Sequence, residues 1–166
     1  MRIGAVLLAA GPGSRIGGLP KALLQLRGLS LLEHHLIALN EVEVNEVVVV
    51  SGFYHLQVEA IALQFPVRVV RNHAPELGQA SSVRLGIEAL DTKYDAIIMM
   101  LCDQPFITKV EIALLIQKSS KFWRVISITC LLLPKLTSPL LIIFGLQRIL
   151  GDHGIINQLL LFLHIC

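Results

Sequence analysis

Two basic residues lie in a glycine-rich segment near the start of the 166-residue chain. The segment reads Leu8, Ala9, Ala10, Gly11, Pro12, Gly13, Ser14, Arg15, Ile16, Gly17, Gly18, Leu19, Pro20 and Lys21. Successive glycines allow backbone N–H groups to converge on an anion. Arg15 adds a planar fork of donors and Lys21 a compact positive charge. The combination predicts a site for a triphosphate. A glycine turn with two solvated bases is the alternative.

A carboxylate follows the apolar run from Ala96 to Leu101, which has the character of a buried strand. Magnesium binds proteins through one or two carboxylates together with substrate phosphates. Asp103 is therefore a candidate metal ligand. The alternative is an acid at a helix N-terminus, but Thr108 is the better candidate for that cap, because Glu111 follows it three residues later.

Short polar and glycine residues follow two further predicted strands. Asn72, Gly78, Ser81 and Ser82 could contact the base and ribose of a nucleotide, and Gly52 ends the strand before them. The alternative for the serines is an ordinary loop that leads to a helix N-cap.

Several other chemistries are disfavoured. No Gly-Lys-Ser/Thr follows the glycines, so the segment is not a Walker A loop. The second strand ends Val50-Ser51-Gly52 without the acid that a dinucleotide-binding fold uses for ribose. Cys102 is interpreted as a packed thiol rather than a nucleophile. The three cysteines form no CxxC pair, which argues against a zinc site and favours a reducing cytoplasm.

The elements that must position these residues alternate along the chain. Apolar runs predict strands at 3–9, 47–50, 67–70 and 96–101, and helical patterns lie at 30–39, 54–64, 81–90 and 108–117. Such alternation predicts a mostly parallel sheet with helices on both faces, a three-layer α/β/α sandwich. Ligands of such sheets bind outside the carboxyl ends of the strands. Beyond residue 120 we expect two short strands and a last helix near 155–163.

Composition bounds the class of protein. Hydrophobic residues make up 54% of the chain and charged residues 16%, which excludes a disordered chain. The net charge of +2 excludes a strongly basic nucleic-acid binder. A membrane span over 123–144 is disfavoured because Lys135, Pro134 and Pro139 interrupt it. We therefore expect neither nucleic acid nor membrane as a partner.

Three stretches together resemble the MobA-like nucleotidyltransferases, and especially their molybdenum cofactor cytidylyltransferase branch. The first stretch matches at Gly11, Arg15, Gly17, Lys21, Gly28, Leu31, Leu32 and His34. The second runs from Asn72 through Gly78, Ser81 and Ser82 to Gly86, and the third is Asp103-Gln104-Pro105. The resemblance covers residues 1–117, the nucleotide-binding half of one predicted domain over 1–166. The half at 118–166, on the acceptor side, matches poorly.

The resemblance implies a Rossmann-like fold of the nucleotide-diphospho-sugar transferase type. It implies magnesium-dependent transfer of CMP from CTP to a phosphorylated acceptor such as molybdopterin, in the cytoplasm, with a molybdoenzyme or its chaperone as a partner. Arg15 would hold the β- and γ-phosphates and Lys21 the α-phosphate.

A second metal ligand is implied by the family's Gly-Asp-Lys/Arg-Gly-Ala motif, which Gly151-Asp152-His153-Gly154-Ile155 resembles. Asp152 is thus the second candidate beside Asp103, and a turn residue that caps a helix is its alternative interpretation. Three other functions stay open at this point. They are a catalytically weak nucleotide-binding or regulatory domain, a sugar-phosphate nucleotidyltransferase and a dinucleotide oxidoreductase.

Overall fold

A computed structural model describes residues 1–13, 18–42, 44–90, 94–121 and 142–145, with the backbone alone for 118–121 and 142–145. Its strands are β1 Ile3–Ala9, β2 Gln25–Leu26, β3 Leu29–Ser30, β4 Glu46–Ser51, β5 Arg68–Arg71, β6 Ala96–Leu101 and β7 Ile142–Gly145. Its α-helices are α1 Leu31–Glu41, α2 His55–Ala62, α3 Gln79–Glu88 and α4 Lys109–Lys121. Short 3₁₀ turns span Lys21–Leu23 and Pro75–Leu77.

Five strands form one sheet in the order β5-β4-β1-β6-β7. Strand β1 pairs in parallel with both β4 and β6, and β5 pairs in parallel with β4. Strand β7 runs antiparallel to β6. The predicted mostly parallel sheet is confirmed. The carboxyl ends of β1, β4, β5 and β6 therefore meet at one edge, where the predicted ligand residues follow them.

The central strands are buried on both faces, which explains why they are continuously apolar. Alternate residues of β1 point to opposite faces, because side chains alternate along a strand. Leu7 packs on one face in a core that includes Leu36 of α1, Val58 of α2 and Ile112 of α4. Val6 packs on the other face in a core that includes Val83 of α3. The molecule is a three-layer α/β/α sandwich.

Helix starts follow the predicted capping boxes in two cases. The Ser30 side chain accepts a hydrogen bond from the Glu33 amide, and the Glu33 carboxylate accepts one from the Ser30 amide. At α4, the Glu111 carboxylate accepts from the Thr108 amide over 2.8 Å. Each box satisfies amides that the first turn of a helix leaves unpaired. Both caps are confirmed.

Helix α3 begins at Gln79, two residues earlier than the pattern predicts. Its N-cap is Gly78, whose φ of 92° is a conformation that favours glycine. Ser81 Oγ donates to the Gly78 carbonyl oxygen over 2.7 Å, so this serine bonds back to the cap instead of capping the helix itself. The alternative interpretation of these serines as a helix N-cap is therefore wrong.

The last third of the chain lies mostly outside the described residues. Strand β7 is one of the two short strands expected there. The other strand, the helix expected near 155–163 and Asp152 all fall outside the described residues. Among the helices that are described, none has the length and apolar character that crossing a membrane requires.

Candidate nucleotide-binding site

A cleft of about 430 Å³ opens at the carboxyl edge of the sheet. It is bounded by the end of β1 and the glycine loop, by the segment that leads into α3, and by the end of β6. Its lining residues are Leu8, Ala9, Ala10, Gly11, Pro12, Gly13, Pro20, Lys21, Ala22, Tyr54, Val58, Pro75, Gly78, Gln79, Ser82, Leu101, Cys102 and Asp103. Predicted residues from three separate stretches of sequence thus share one cavity.

The glycine loop is closed at its base by backbone contacts. The Gly18 amide donates to the Gly13 carbonyl oxygen over 3.1 Å. Gly13 has a φ of 63°, and a Cβ there would lie 1.9 Å from the Leu19 carbonyl oxygen, so only glycine fits. Gly11 and Gly13 line the cleft as predicted. Ser14 and Arg15 fall outside the described residues, and their phosphate contacts stay predictions.

Lys21 and Asp103 form an ion pair across the cleft. The Lys21 Nζ lies 2.9 Å from Asp103 Oδ2, and the two side chains are 31% and 37% exposed. An ion pair this exposed contributes little to stability, because water screens it. Both charges are accessible to a ligand that enters the cleft, so a phosphate would compete for the lysine and a cation for the aspartate.

The donor chemistry at Asp103 fits magnesium. A half-exposed carboxylate at the cleft is the hard oxygen ligand that Mg²⁺ prefers, and Mg²⁺ completes its shell with waters and substrate phosphates. Within the described ranges, no group of three or more His, Cys, Asp or Glu side chains could hold a metal ion by itself. Such a site would depend on the nucleotide phosphates, with Asp152 outside the described residues as the other predicted ligand.

Asn72 organises the two serines after β5. Its Nδ2 donates to the hydroxyl oxygens of Ser81 and Ser82, each over 2.9 Å. Asn72 is 7% exposed and does not line the cleft, and neither does Ser81, whereas Ser82 does. The arrangement leaves Ser82 as the member of the trio that faces a ligand. Nucleotide contact by Asn72 and Ser81 stays a prediction.

Gly52 is required for packing at the end of β4. A Cβ at this position would lie 2.7 Å from both the Cβ and the carbonyl oxygen of Ala10. The residue therefore lets β4 approach the start of the glycine loop. Gly52 does not line the cleft, and its predicted contact with the nucleotide is untested.

Two polar residues that sequence reasoning did not assign to the site, Tyr54 and Gln79, line the cleft as well. Tyr54 follows β4, and Gln79 begins α3. Their positions just after predicted strands were the available signal, because segments that follow parallel strands surround the ligand site. The residue types themselves, an aromatic at Tyr54 and an amide at Gln79, did not indicate a binding site.

Two buried groups lie close to Asp103. Burial raises the pKa of the Cys102 thiol strongly, with the negative charge of Asp103 adding to the shift, so the thiol stays protonated. This agrees with the interpretation of Cys102 as a packed thiol.

His35 of α1 is 1% exposed, and burial lowers its pKa to about 4. Its ring nitrogens meet no partner at good hydrogen-bond geometry, although the Cys102 backbone is close enough to oppose the shift.

A bidentate ion pair braces the same edge of the sheet. Arg71 donates to both carboxylate oxygens of Glu59, over 2.9 and 2.6 Å, and the Ser51 hydroxyl donates to Glu59 over 2.7 Å. The hydrogen bonds from Arg71 lower the pKa of Glu59 to about 2. The network ties α2 to the ends of β4 and β5. The Glu59 carboxylate, which lies beside the end of β4, is fully engaged by Arg71 and Ser51.

Comparison with known proteins identifies the family to which this chain belongs. The model of the MobA-like NTP transferase domain matches residues 5–129. Nicotine blue oxidoreductase of Paenarthrobacter nicotinovorans is 43% identical over 100 residues, which cover 60% of this chain and 48% of that protein. The bifunctional protein GlmU of Lactococcus lactis is 34% identical over 105 residues, 63% of this chain and 22% of that one. The chain spans about half the length of the first relative and about a fifth of the second.

Solved structures agree. A nucleotidyl transferase from Methanothermobacter is 30% identical with a TM-score of 0.63, and the match covers 70% of this chain and 57% of that one. The CTP:phosphocholine cytidylyltransferase of Streptococcus pneumoniae is 25% identical with a TM-score of 0.54, covering 66% and 50%. The sheet and its neighbours are those of a Rossmann-like nucleotide-diphospho-sugar transferase fold. Since the family model matches most of the chain, this protein belongs to the MobA-like NTP transferase family.

Proposed function

We propose that the protein transfers CMP from CTP to a phosphorylated small molecule such as molybdopterin and releases pyrophosphate. The observation that carries the proposal is the cleft that brings the glycine loop, Lys21 and Asp103 together. Backbone N–H groups of a glycine loop, a positive charge and a carboxylate that could hold a metal ion are the groups that nucleotidyl transfer needs. The reaction takes place in the cytoplasm on this proposal, and a molybdoenzyme or its chaperone receives the product.

In the proposed reaction, a phosphate oxygen of the acceptor attacks the α-phosphorus of CTP. A new oxygen–phosphorus bond forms, and the bond from the α-phosphorus to the bridging β-oxygen breaks, so that pyrophosphate leaves with the electron pair. Lys21 neutralises the α-phosphate, and Arg15 holds the β- and γ-phosphates. The protein contributes positioning and charge neutralisation, because phosphoryl transfer requires little covalent chemistry from protein side chains.

Magnesium bound at Asp103 and Asp152 would supply positive charge to the phosphate oxygens. The half-exposed carboxylate of Asp103 supports this assignment on the β6 side. Its place directly after a sheet strand fixes the carboxylate relative to the glycine loop, since β6 pairs with β1 through Leu8 and Leu101.

The cytosine preference is supported by three features. The sequence Ala9-Ala10-Gly11 resembles the cytidylyl branch of the family, and the cytidylyltransferase of Streptococcus pneumoniae has a similar structure. Ser82 faces the cleft with its hydroxyl oriented by Asn72. A hydroxyl held in this way can read the edge of a base by hydrogen bonding.

The test is pyrophosphate release with each of the four NTPs, with and without Mg²⁺, against molybdopterin and a panel of sugar phosphates. We expect release with CTP, Mg²⁺ and molybdopterin. Release with a sugar phosphate alone would identify a sugar-phosphate nucleotidyltransferase. Magnesium-dependent CTP binding without pyrophosphate release from any acceptor would contradict catalysis and favour a regulatory nucleotide-binding domain.

A dinucleotide oxidoreductase is a second candidate, and the relative named nicotine blue oxidoreductase favours it. The structure offers no separate carboxylate for ribose at the end of β4 among the described residues, because Glu59 is engaged by Arg71 and Ser51. Tight NADH binding in the absence of Mg²⁺, with no CTP binding, would support this candidate over the first.

A further inference from the structure

Tyr54 reaches from the end of β4 to the base of the glycine loop. Its hydroxyl donates to the Pro12 carbonyl oxygen over 3.1 Å and also contacts the Gly18 carbonyl oxygen. Pro12 and Gly18 lie on either side of the segment that contains Ser14 and Arg15. The Tyr54 hydroxyl thus contacts one carbonyl oxygen on each side of that segment.

The other contacts at this base are backbone contacts between neighbours in sequence. The Gly18 amide bonds to the Gly13 carbonyl, and Gly13 packs against Leu19. The Phe53 amide donates to the Ala10 carbonyl oxygen, just before the loop, over 3.4 Å. Tyr54 is the described residue that reaches Pro12 and Gly18 from a distant element, 42 residues from Pro12 and 36 from Gly18. It therefore connects the loop to the rigid centre of the sheet.

Tyr54 has the anchorage that such a tie requires. Its ring is half-buried and packs against the core shared by α1, α2 and α4. Its carbonyl accepts the Val58 amide over 3.1 Å, which fixes the residue at the first turn of α2. A hydroxyl on so constrained a ring can hold a loop in one place, because the ring itself has little freedom to follow the loop.

We propose that Tyr54 is a positioning residue that holds Pro12 and Gly18, the two described ends of the glycine loop, in place for nucleotide binding. The proposal rests on the proposed function, since it assigns the loop's ligand as the phosphate chain of an NTP. Without the hydroxyl, Pro12 and Gly18 are held less firmly and the nucleotide must restrain them on binding, which weakens affinity. The ring also lines the cleft, so a direct contact between ring and nucleotide has to be separated from the tie.

Tyr54→Phe separates the two roles, because it removes the hydroxyl and keeps the ring. The chain has two tyrosines, and the other supplies a matched control. The Tyr94 hydroxyl donates to the Glu46 carboxylate at the opposite edge of the sheet, where β4 and β6 begin. Tyr94→Phe therefore deletes a hydroxyl of the same kind far from the loop.

The first readout is amide hydrogen exchange of the full chain without nucleotide. We expect exchange at the Gly18 amide to rise about 3- to 10-fold in Tyr54→Phe, the effect of losing one hydrogen bond, and to stay unchanged in Tyr94→Phe. An unchanged Gly18 amide in Tyr54→Phe would overturn the proposal. A uniform rise over the whole sheet would overturn it as well, because the hydroxyl would then stabilise the fold and not the loop.

The second readout is nucleotide binding and turnover. We expect Tyr54→Phe to raise the KM and Kd for CTP about 3- to 10-fold while kcat changes less than twofold, because bound nucleotide itself then holds Pro12 and Gly18 in place. A loss confined to kcat would overturn the proposal. If the wild-type protein binds no NTP, the proposed function fails, whereas the exchange at Gly18 still decides whether Tyr54 ties the loop.

Discussion

The Nζ of Lys21 lies 2.9 Å from Oδ2 of Asp103, although 82 positions separate the two residues in the sequence. The contact joins the glycine segment after β1 to the end of β6. In this structure each charge is the other's counter-ion. On the proposed function, a triphosphate that draws Lys21 away leaves the carboxylate for a divalent cation, so that nucleotide entry and metal entry would be coupled.

We predict opposite effects of Lys21→Met on the two ligands. Removing the ammonium group should increase the affinity for Mn²⁺ alone about 2- to 5-fold, because the exposed ion pair that opposes the cation is worth less than about 1 kcal/mol. The same change should weaken CTP binding and lower turnover at saturating CTP by at least about 100-fold, since the α-phosphate loses its neutralising charge. Titration with Mn²⁺ and with CTP measures the first two effects.

The control for this prediction is Lys109→Met. Lys109 also forms an exposed ion pair, with Glu41 at 3.2 Å, but does not line the cleft. Lys109→Met should leave the affinities for Mn²⁺ and CTP and the turnover unchanged. Full turnover in Lys21→Met would contradict the phosphate role, and thermal unfolding should show both variants folded.

A second prediction compares the two candidate metal ligands. Asp103→Asn should abolish magnesium-dependent CTP binding and turnover, whereas Asp152→Asn should damage both much less. Asp103 follows a strand paired directly with β1, so the sheet sets its position, and rigid placement is what metal catalysis needs. Asparagine keeps the shape of the side chain and removes its charge, so the change tests metal binding instead of packing.

Calorimetric titration of both variants with CTP and Mg²⁺ decides the comparison. Equal losses would indicate a site with two equivalent carboxylates. A larger loss at Asp152 would contradict the argument from the sheet. If Asp152 only caps a helix, its asparagine variant should behave as wild type, because asparagine caps equally well.

The sheet could be predicted from the sequence because its central strands are buried on both faces and therefore form continuous apolar runs. The two capping boxes gave the starts of α1 and α4 for a similar local reason. The start of α3 could not be predicted, because Gly78 caps it through its backbone conformation, and residue type alone does not report a φ of 92°.

The candidate site was predictable in its parts but not in its contacts. Glycines, a lysine and an aspartate after strands identified the cleft. The ion pair between Lys21 and Asp103 and the tie from Tyr54 depend on side-chain directions that spacing does not encode. Gly52 shows the opposite case. Its residue type and position predict a ligand contact, but the structure shows that a glycine is needed there for packing against Ala10.

A third prediction concerns the base. CTP should bind more tightly than GTP, and Ser82→Ala should reduce that preference about tenfold, since one hydrogen bond to a base edge contributes about 1–3 kcal/mol. Ser81→Ala is the matched control, because Ser81 has the same 2.9 Å bond from Asn72 but does not line the cleft. Competition titrations of CTP and GTP give both ratios. Tighter binding of GTP by the wild type would overturn the assignment.

The fourth prediction is a loss of stability in mild acid that originates at His35. Burial, with a smaller contribution from the charge of His34, lowers the pKa of this histidine to about 4 against the opposing effects of Asp103 and the Cys102 backbone. In the unfolded chain the pKa returns to its usual value near 6.5. Between these two values the unfolded state binds a proton that the folded state does not, so stability falls as the pH falls through this range.

From pH 7 to pH 5 the wild-type free energy of unfolding should fall by about 2 kcal/mol from this group. His35→Leu should remove that part of the slope, whereas His73→Gln, at an exposed position, should keep it. Glu59 does not interfere, because its pKa of about 2 confines its contribution to the range below its ordinary value of 4.5. Urea unfolding at pH 7 and pH 5 measures the difference. An identical slope in wild type and His35→Leu would show that the folded protein already accommodates a charged His35.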